Sequence, residues 1–505
     1  MQKLRLWMLT AILALCGAGV TAQTADDTIT YVLDSEMPDA GYFLPQPTDT
    51  AGVAFIDDML QFQWGKTQRN TPRGKQASDE SLWTPDAMRS VLQQVLKLDT
   101  ISPEKTPAMS RLLERTYDIG DRSTMAAKSQ YGRKRPFMQM NDPLWAEYDT
   151  DFLRTNGSYP SGHTAFGWAV SLVFAEMWPP LQDQILRRGF QFGENRIITG
   201  AHYQSDVTAG YLCACAAVAR AHTNSLLEED IQAARAEYAM LKGFPAEYDP
   251  VTGVDMPHGE FILNEPVDTT SYRYITDVLR YWDAKSLRDT PRGKQAEREA
   301  EYSLEMMYSV FGEAMNITIS PEKTPAICAL IGDLFTRASD FADRLKPIRF
   351  RKRPFVQLGE PSFVAGDEEK ERGKSSFPSG HTNLGWTMAL TLAEVAPECQ
   401  DEVLRRGYEY GYNRLIVGYH WFTDIEATRP LSSALIARLH ANPSFRKLIQ
   451  DARNEYLSIT NALPTVTYDV KEHVADDAAY TIDGRPAAPG EQGIIIQGGK
   501  KRVVR

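Results

Sequence analysis

The 505-residue sequence is poor in cysteine, and no long apolar run follows its first 22 residues. It has five cysteines, and their spacing relative to histidine matches no zinc-binding pattern. Four of them lie beyond the amino-terminal segment, and we interpret these as buried thiols whose pairing the sequence leaves open. They are Cys213, Cys215, Cys328 and Cys399. Since crossing a bilayer takes about 20 apolar residues, no integral membrane association is predicted.

An excess of positive charge is also missing. The chain carries 55 Lys and Arg against 66 Asp and Glu, a net charge of −11. Nucleic acid is a polyanion, so a chain this acidic is not expected to have it as a partner. Alternating strand patterns are scarce, and the apolar content of 43% is ordinary for a globular protein. A local group of cations in such a chain favours a small anion as ligand.

The first 22 residues have the pattern of a signal peptide. Lys3 and Arg5 precede an apolar core at positions 6–15, and the sequence Val20-Thr21-Ala22 fits cleavage before Gln23. We therefore expect export, with the mature chain in the periplasm or secreted to the outer surface.

A long internal repeat organises the rest of the chain. Six residues able to bind or transfer a charged group recur at a spacing of 218 positions. The pairs are Lys128 with Lys346, Arg135 with Arg353, His163 with His381, Arg196 with Arg414, His202 with His420 and Asp206 with Asp424. Upstream, residues 71–77 recur as 290–296, at a spacing of 219. A period of this length indicates a domain duplication rather than a solenoid.

The repeat sets the predicted boundaries of the domains. They are a signal peptide at 1–22, domain 1 at 24–245, a linker at 246–260, domain 2 at 261–462 and a tail at 463–505. Apolar residues at helical spacing predict helices in the first copy at 81–98, 107–118, 164–178, 181–192 and 205–219. We predict two tandem all-α bundles.

The tail has a different character. Residues 479–484 and 493–500 have the composition of two short strands with turns. This part of the chain resembles the C-terminal sorting or surface-targeting hairpins of some secreted bacterial proteins. A short β-like tail is therefore expected after the helical domains.

Three motifs in each copy have the residue types needed to hold and move a phosphate. His202 and Asp206 are four apart and would share one helix face, with the carboxylate fixing the imidazole tautomer. We expect Arg196 near the start of that helix or in the turn before it. The sequence 160–163, Pro-Ser-Gly-His, predicts a turn at a helix N-terminus, where free amides attract an anion.

At these motifs both copies resemble the type 2 phosphatidic acid phosphatase (PAP2) superfamily, and within it the bacterial class A non-specific acid phosphatases. The shared pattern is Lys-x6-Arg-Pro, then Pro-Ser-Gly-His, then Arg-x5-His-x3-Asp. Asn195 and Asn413 stand where that family usually has serine. Since Asn also donates a hydrogen bond, the departure concerns the surroundings of the site rather than its chemistry.

The resemblance implies a role for each motif residue. His202 would attack phosphorus, Asp206 would orient it, and His163 would act as acid and then base. The implied phosphate-binding residues of copy one are Lys128, Arg135, Ser161, Gly162 and Arg196. In copy two the same roles fall to His420, Asp424, His381, Lys346, Arg353, Ser379, Gly380 and Arg414. No cofactor or metal is implied, and phosphate and vanadate are expected inhibitors.

Other functions are compatible with the motifs. One is a lipid phosphatase, another a vanadium-dependent haloperoxidase, which shares this pocket, and a third a protein in which one copy is a non-catalytic packing or binding module. We favour an acid phosphatase acting on small phosphorylated substrates, with the two copies packed as a pseudo-dimer.

Several repeated residues have simpler interpretations. We interpret His222 and His440 as structural, and Trp168 and Trp386 as core residues. Solvated charge is the favoured interpretation for Arg133, Lys134, Arg351 and Lys352.

Overall fold

The computed structural model describes residues 29–146, 151–364, 366, 368–462, 480–481, 493–497 and 500–504. The predicted signal peptide lies outside the described residues. Contacts divide the chain between Glu455 and Tyr456 into two compact units, and the first unit holds copy one and copy two as far as Glu455. The predicted all-α fold of the two copies is confirmed. Within the described part of the chain, no helix has both the length and the apolar character needed to cross a membrane.

The first copy consists of twelve described helices and two 3-10 turns, at Asp34–Glu36 and Pro179–Leu181. The helices are α1 Ala40–Phe43, α2 Val53–Gln68, α3 Pro72–Asp79, α4 Pro85–Leu96, α5 Pro107–Arg122, α6 Met125–Tyr131, α7 Pro136–Gln139, α8 Asp151–Thr155, α9 Gly162–Met177, α10 Gln182–Thr199, α11 Gln204–Ala221 and α12 Ser225–Leu241.

The second copy repeats this order with a 3-10 turn at Pro397–Cys399, except that one helix, Pro325–Leu345, spans the counterparts of α5 and α6. Its described helices are α13 Gly259–Ile262, α14 Tyr272–Lys285, α15 Pro291–Arg298, α16 Leu304–Ala314, α17 Pro325–Leu345, α18 Pro354–Leu358, α19 Glu368–Glu371, α20 Gly380–Val395, α21 Gln400–Ile416, α22 Phe422–His440 and α23 Pro443–Ala462.

One long helix forms the centre of each copy, α9 in the first and α20 in the second. Every residue of α9 is buried, and α9 packs against α5, α10 and α11. Apolar residues on every side of a helix are typical of a helix buried in a protein core. Trp168 on α9 and Trp386 on α20 are both 0% exposed, so the prediction that they are core residues is confirmed. Because α9 begins at Gly162, its N-terminus brings the Pro-Ser-Gly-His turn into the interior.

The helix predicted at 181–192 is longer than expected and runs to Thr199 as α10. The prediction was wrong because Asn195 and Arg196 are polar, yet both are buried against neighbouring helices. Gly200, with φ of 77°, takes the left-handed conformation that ends the helix. The other four predicted helices are present, with ends shifted by at most four residues.

The copies differ in the helices that lead to Lys128 and Lys346, the lysines of the shared pattern. In copy one α5 ends at Arg122, and Ser123 and Thr124 bond through their hydroxyls to the carbonyls of Gly120 and Asp121. Such bonds compete with helix continuation. Copy two has Phe341 and Ala342 at these positions, and α17 continues through them. It stops at Leu345, just before Lys346 and Pro347, because proline cannot continue a helix.

The two copies contact each other through their central helices. Helix α9 packs against α22, and α11 packs against both α20 and α22. Trp168 Nε1 donates to Ser433 Oγ at 3.1 Å across this contact. Arg273 of copy two pairs with Asp57 of copy one at 3.1 Å and with Glu426 of its own copy at 2.8 Å.

The second unit contains a small antiparallel sheet. Its described strands are β1 Tyr480–Thr481, β2 Gly493–Gln497 and β3 Lys500–Val504, in the order β1-β2-β3. Tyr480 pairs with Ile496, and Ile494 pairs with Val503. The predicted strand segments at 479–484 and 493–500 overlap β1 and β2, while residues 482–492 lie outside the described residues.

Candidate active sites

Five elements converge on the first site. Lys128 comes from α6, Arg135 caps α7, Ser161 caps α9, and Arg196 lies in the last turn of α10. His202 lies in the loop before α11, two residues ahead of its first residue. The expectation that His202 and Asp206 share a helix face was therefore wrong. Arg196 was expected near the start of that helix or in the turn before it, and lies instead in the last turn of the preceding helix. Gly200 separates two helices here, and only Asp206 is helical.

The His202 ring is held by main-chain oxygen. Nδ1 lies 2.8 Å from the carbonyl oxygen of Ser158, whereas Oδ2 of Asp206 is 3.6 Å away. On the other side of the ring, Nε2 is 2.8 Å from Nη1 of Arg135. A carbonyl only accepts, so Nδ1 carries the proton and Nε2 presents a lone pair.

Asp206 acts on His202 through an intermediary. Its Oδ2 accepts hydrogen bonds from Ser158 Oγ at 2.5 Å and from the Tyr203 amide at 2.8 Å. Its Oδ1 accepts from Arg133 at 2.5 Å. Asp206 is fully buried, and despite that burial Arg133 and His202 keep its pKa far below the ordinary value. The Asp206 carboxylate therefore stays ionised. Through Ser158 and the Tyr203 amide it fixes the backbone on either side of the His202 ring.

The prediction of solvated charge was wrong for two of the four flanking cations. The Arg133 side chain is 9% exposed and bridges Asp58, at 2.8 Å, and Asp206. Arg351 repeats the arrangement with Asp277 at 2.7 Å and Asp424 at 2.6 Å. A buried carboxylate needs a partner, which these arginines supply. The other two cations are exposed, as predicted: Lys134 and Lys352.

His163 lies in the first turn of α9, beside the aromatic ring of Trp83. Its Nε2 is 3.0 Å from the carbonyl oxygen of Ser81, and its ring centroid is 4.6 Å from that of Trp83. Burial, with Arg196 and His202 nearby, lowers the pKa of His163 well below its ordinary value. The pKa of His202 is lowered in the same way by burial and Arg135. Both imidazoles are therefore neutral at pH 7 as the side chains stand.

The cations of the first site have neutral partners. Lys128 Nζ donates to the carbonyls of Gly157 at 2.9 Å and Pro160 at 2.6 Å. Burial and Arg135 lower the pKa of Lys128 to about 7, and burial lowers that of Arg196 to about 9. Arg196 Nε is buried without a hydrogen-bond partner among the described residues. Buried cations without a carboxylate partner favour an incoming anion.

The Pro-Ser-Gly-His turn offers fewer groups than expected. The Ser161 amide already donates to the Asp206 carbonyl at 2.9 Å, and Ser161 Oγ accepts from the Thr164 amide at 3.3 Å. The next two amides, of Gly162 and His163, open α9 and have no intrahelical acceptor. These two amides can bind an anion, and so can the Ser161 hydroxyl, which only accepts in its two bonds from Thr164 and keeps its own proton to donate.

The second site repeats the histidine geometry. His420 Nδ1 is 2.5 Å from the Ser376 carbonyl and 3.9 Å from Asp424 Oδ2. Its Nε2 is 3.1 Å from Nη1 of Arg353. His381 Nε2 lies 3.0 Å from the carbonyl of Ala300, as His163 does from that of Ser81.

The cations of the second site are paired differently. Arg353 Nη2 donates to Glu371 on α19 at 2.7 Å, and Lys346 donates to Asp343 at 2.6 Å. In copy one the position of Glu371 is occupied by Leu153, a buried apolar residue. The second site thus holds a carboxylate of the protein against the arginine that would bind phosphate.

Sequence reasoning missed several residues of these sites. Ser158 and Ser376, which position the histidines, recur at the same 218-residue spacing and could have been found from it. Asp121 could not, since copy two has Ser339 there. Asp121 Oδ1 lies 3.2 Å from where a Cβ on Gly162 would stand, and burial raises its pKa to about 6.

Asn195 and Asn413 have matching partners. Their Nδ2 atoms donate to Glu80 and Glu299, each at 2.7 Å. The asparagines therefore fix a carboxylate beside each site, the donor role expected of them.

Comparison with known proteins places the chain in a family. The PAP2 superfamily model matches residues 119–226 and 326–447. The non-specific acid phosphatase of Providencia stuartii is 37% identical over 199 residues, which is 39% of this chain and 80% of that protein. The chain belongs to the PAP2 superfamily. The family and the class of enzyme predicted from the motifs are thereby confirmed.

Two further relatives carry similar names. The non-specific acid phosphatase of Salmonella typhimurium is 34% identical over 209 residues, 41% of this chain and 83% of that protein. The acid phosphatase of Zymomonas mobilis is 36% identical over 205 residues, 39% of this chain and 74% of that protein. Each aligned stretch is about as long as one copy of the repeat.

Proposed function

We propose that the chain hydrolyses phosphate monoesters through a phosphohistidine intermediate on His202. The observation that carries the proposal is the setting of this ring, with Nδ1 2.8 Å from the Ser158 carbonyl and Nε2 2.8 Å from Arg135. An imidazole in that tautomer has its lone pair on Nε2, beside the cations that would hold the phosphate oxygens. The PAP2 membership and the names of the relatives support the same class of reaction.

In the first step Nε2 of His202 forms a bond to phosphorus while the bond from phosphorus to the ester oxygen breaks. With phosphate bound, His163 is protonated on both nitrogens and gives the leaving oxygen its Nδ1 proton, because its Nε2 proton is bonded to the Ser81 carbonyl at 3.0 Å. Burial and Arg196 lower the pKa of His163, and the negative charge of a bound phosphate raises it again.

In the second step His163 takes a proton from water. The water oxygen bonds to phosphorus, the bond from phosphorus to Nε2 of His202 breaks, and inorganic phosphate leaves. Lys128, Arg135 and Arg196 hold the equatorial oxygens in both steps, where negative charge must be stabilised. Through Ser158, Asp206 keeps the ring in place.

Trapping the intermediate tests this proposal. We expect rapid quenching with a labelled phosphate ester to give an acid-labile, alkali-stable label on His202. His202→Ala should remove it and lower kcat of the first site by about a thousandfold or more. His258→Ala is the control, since His258 is a half-exposed histidine paired with Asp183. A label of unchanged size in His202→Ala and His420→Ala together would contradict the mechanism.

A specific contact favours unequal sites. We propose that copy one carries most of the activity, because Arg353 in copy two is paired with Glu371 at 2.7 Å while Arg135 has carbonyl and imidazole partners. His202→Ala is then expected to remove most of the turnover and His420→Ala little of it. Equal losses would show two equally active sites.

The substrate class can be tested on the same enzyme. We propose small phosphorylated substrates, with phosphate and vanadate as inhibitors, and a panel of a nucleotide, a sugar phosphate and phosphatidic acid compares them. Exclusive turnover of phosphatidic acid would favour the lipid phosphatase alternative. Bromide oxidation with added vanadate would favour the haloperoxidase.

We also propose export, with mature domains at 24–245 and 261–462 joined by the 246–260 linker. Amino-terminal sequencing of the exported chain should begin at Gln23. Recovery of uncleaved chain from the cytoplasm alone would contradict export.

A further inference from the structure

A cluster of two histidines and two glutamates lies where the two copies meet. Glu176 and Glu394 stand one residue before the ends of α9 and α20, while His222 directly follows α11 and His440 is the last residue of α22. Both pairs are related by the 218-residue repeat. Each copy thus contributes one imidazole and one carboxylate to a pseudo-symmetric group.

The four side chains are close together and buried. The His222 and His440 rings stack with centroids 3.7 Å apart and planes 9° from parallel. His222 Nε2 is 3.2 Å from Glu176 Oε2, and His440 Nε2 is 3.0 Å from Glu394 Oε1. One ligand atom from each of Glu176, His222 and His440 lies within 4.8 Å of the others. Glu176 and His440 are each 1% exposed.

The hydrogen bonding inside this cluster is incomplete. Among the described residues, neither oxygen of Glu176 nor Nδ1 of His440 has a hydrogen-bond partner, although all three atoms are buried. The 3.2 Å contact between His222 and Glu176 is therefore close without being aligned as a hydrogen bond. A buried carboxylate that accepts no hydrogen bond needs a cation beside it, either protonated His222 at 3.2 Å or a metal ion that displaces the His222 proton.

Nearby arginines do not supply that cation through hydrogen bonds. Arg235 donates to the main-chain carbonyls of Glu176 and Met177, at 2.9 Å each. Arg446 pairs with Glu228 at 2.8 Å and bonds to the His440 carbonyl. Both guanidinium groups therefore lie near the Glu176 carboxylate but donate their hydrogen bonds to other acceptors.

The spacing of the cluster suits a metal ion. Zinc binds imidazole nitrogen and carboxylate oxygen at about 2.0–2.2 Å, so two tetrahedral ligands lie about 3.3 Å apart. The His222–Glu176 pair, at 3.2 Å, already has this separation, whereas the His440 ring has to turn out of the stack to direct Nδ1 to the same ion. A cavity of about 680 Å³ lined by His222, Glu394 and His440 gives an ion a route in from solvent.

We propose that Glu176, His222 and His440 bind one divalent transition-metal ion of the zinc class, with Glu394 bonded to Nε2 of His440 and orienting that ring. Two nitrogen donors and one oxygen donor favour zinc over calcium or magnesium, which prefer oxygen ligands alone. The ion would join the two copies, because Glu176 and His222 come from copy one and His440 from copy two. The site is separate from the phosphate sites and does not depend on the proposed reaction.

Zinc binding to the full chain tests the proposal. The chelator-treated protein is titrated with zinc in a calorimeter, and its unfolding temperature is measured with and without the ion. We expect one zinc per chain with a Kd below about 1 μM, and a rise of several degrees in unfolding temperature. Binding weaker than about 100 μM would overturn the proposal.

Two variants identify the ligands. Glu176→Gln keeps the side-chain shape and His222→Gln keeps a polar group, and each should weaken zinc binding at least about tenfold. His258→Gln, which changes a half-exposed histidine, should bind zinc as the unaltered chain does. Circular dichroism confirms that each variant is folded. Undiminished zinc binding in folded Glu176→Gln and His222→Gln would place the ion elsewhere and overturn the assignment.

Discussion

At the scale of single residues, main-chain carbonyls fix the tautomers of His202 and His420, a role that the sequence pattern assigns to a carboxylate. His202 and His420 both direct Nδ1 to a serine carbonyl, while Asp206 and Asp424 lie 3.6 and 3.9 Å away. A carbonyl fixes the tautomer without adding charge to the ring. The aspartates instead neutralise the buried arginines Arg133 and Arg351.

Asp121 leads to a prediction about pH. Burial raises its pKa to about 6, and it lies beside Gly162, whose amide faces the expected phosphate position. As pH rises through about 6 the carboxyl ionises, and its negative charge should weaken anion binding. At pH 6.5 we expect Asp121→Asn to lower KM about threefold to tenfold. At pH 4.5 we expect no effect, because the protonated Asp121 carboxyl and the asparagine side chain are both neutral.

The comparison of variants removes the titration of the substrate itself, which is common to both. Asp118→Asn is the matched control, because Asp118 lies on the same helix but is half-exposed, where solvent screens its charge. A KM that stays equal in Asp121→Asn and the unaltered enzyme from pH 4.5 to 6.5 would disprove the role of Asp121.

At the scale of helices and loops, the sequence predicts helices whose apolar residues recur at helical spacing. It does not predict helix ends or side-chain contacts that depend on residues distant in the chain. The central helix α9 is mostly apolar, and the sequence predicts its ends to within two residues. The end of α10 was missed because Asn195 is stabilised by Glu80, a residue 115 positions away. Residue types and the repeat were enough to propose the motif residues. The Glu371–Arg353 contact depends on how α19 packs, which no local pattern records.

Helix α19 provides the second prediction. Arg353 donates a hydrogen bond to the Glu371 carboxylate, so removing the charge of Glu371 should leave the arginine available to bind substrate. In a His202→Ala background we expect Glu371→Gln to raise kcat/KM of the second site about tenfold, the equivalent of about 1.4 kcal/mol of a charged hydrogen bond.

Glu369→Gln is the control for this experiment. Glu369 lies on the same helix with its side chain 95% exposed. Phosphate inhibition of the second site should tighten in Glu371→Gln and stay constant in Glu369→Gln. If Glu371→Gln lowers turnover instead, the carboxylate is part of the working site rather than a competitor for it.

At the scale of the whole molecule, the two copies are expected to unfold together as a pseudo-dimer. Arg273 lies between Asp57 and Glu426, carboxylates from opposite copies with side chains at most 10% exposed. Arg273→Met leaves both carboxylates without this cation, and we expect it to lower the free energy of unfolding by about 3 kcal/mol. Lys447→Met removes an exposed pair with Asp451 and should cost less than about 0.5 kcal/mol.

Urea unfolding followed by tryptophan fluorescence and by circular dichroism measures both changes. A shared core joins the copies, since Trp168 of the first bonds to Ser433 of the second. One transition should therefore move to lower urea in Arg273→Met, by the same amount for both probes. Two separate transitions, of which Arg273→Met shifts only one, would show that each copy folds by itself and that the contact between them adds little to stability.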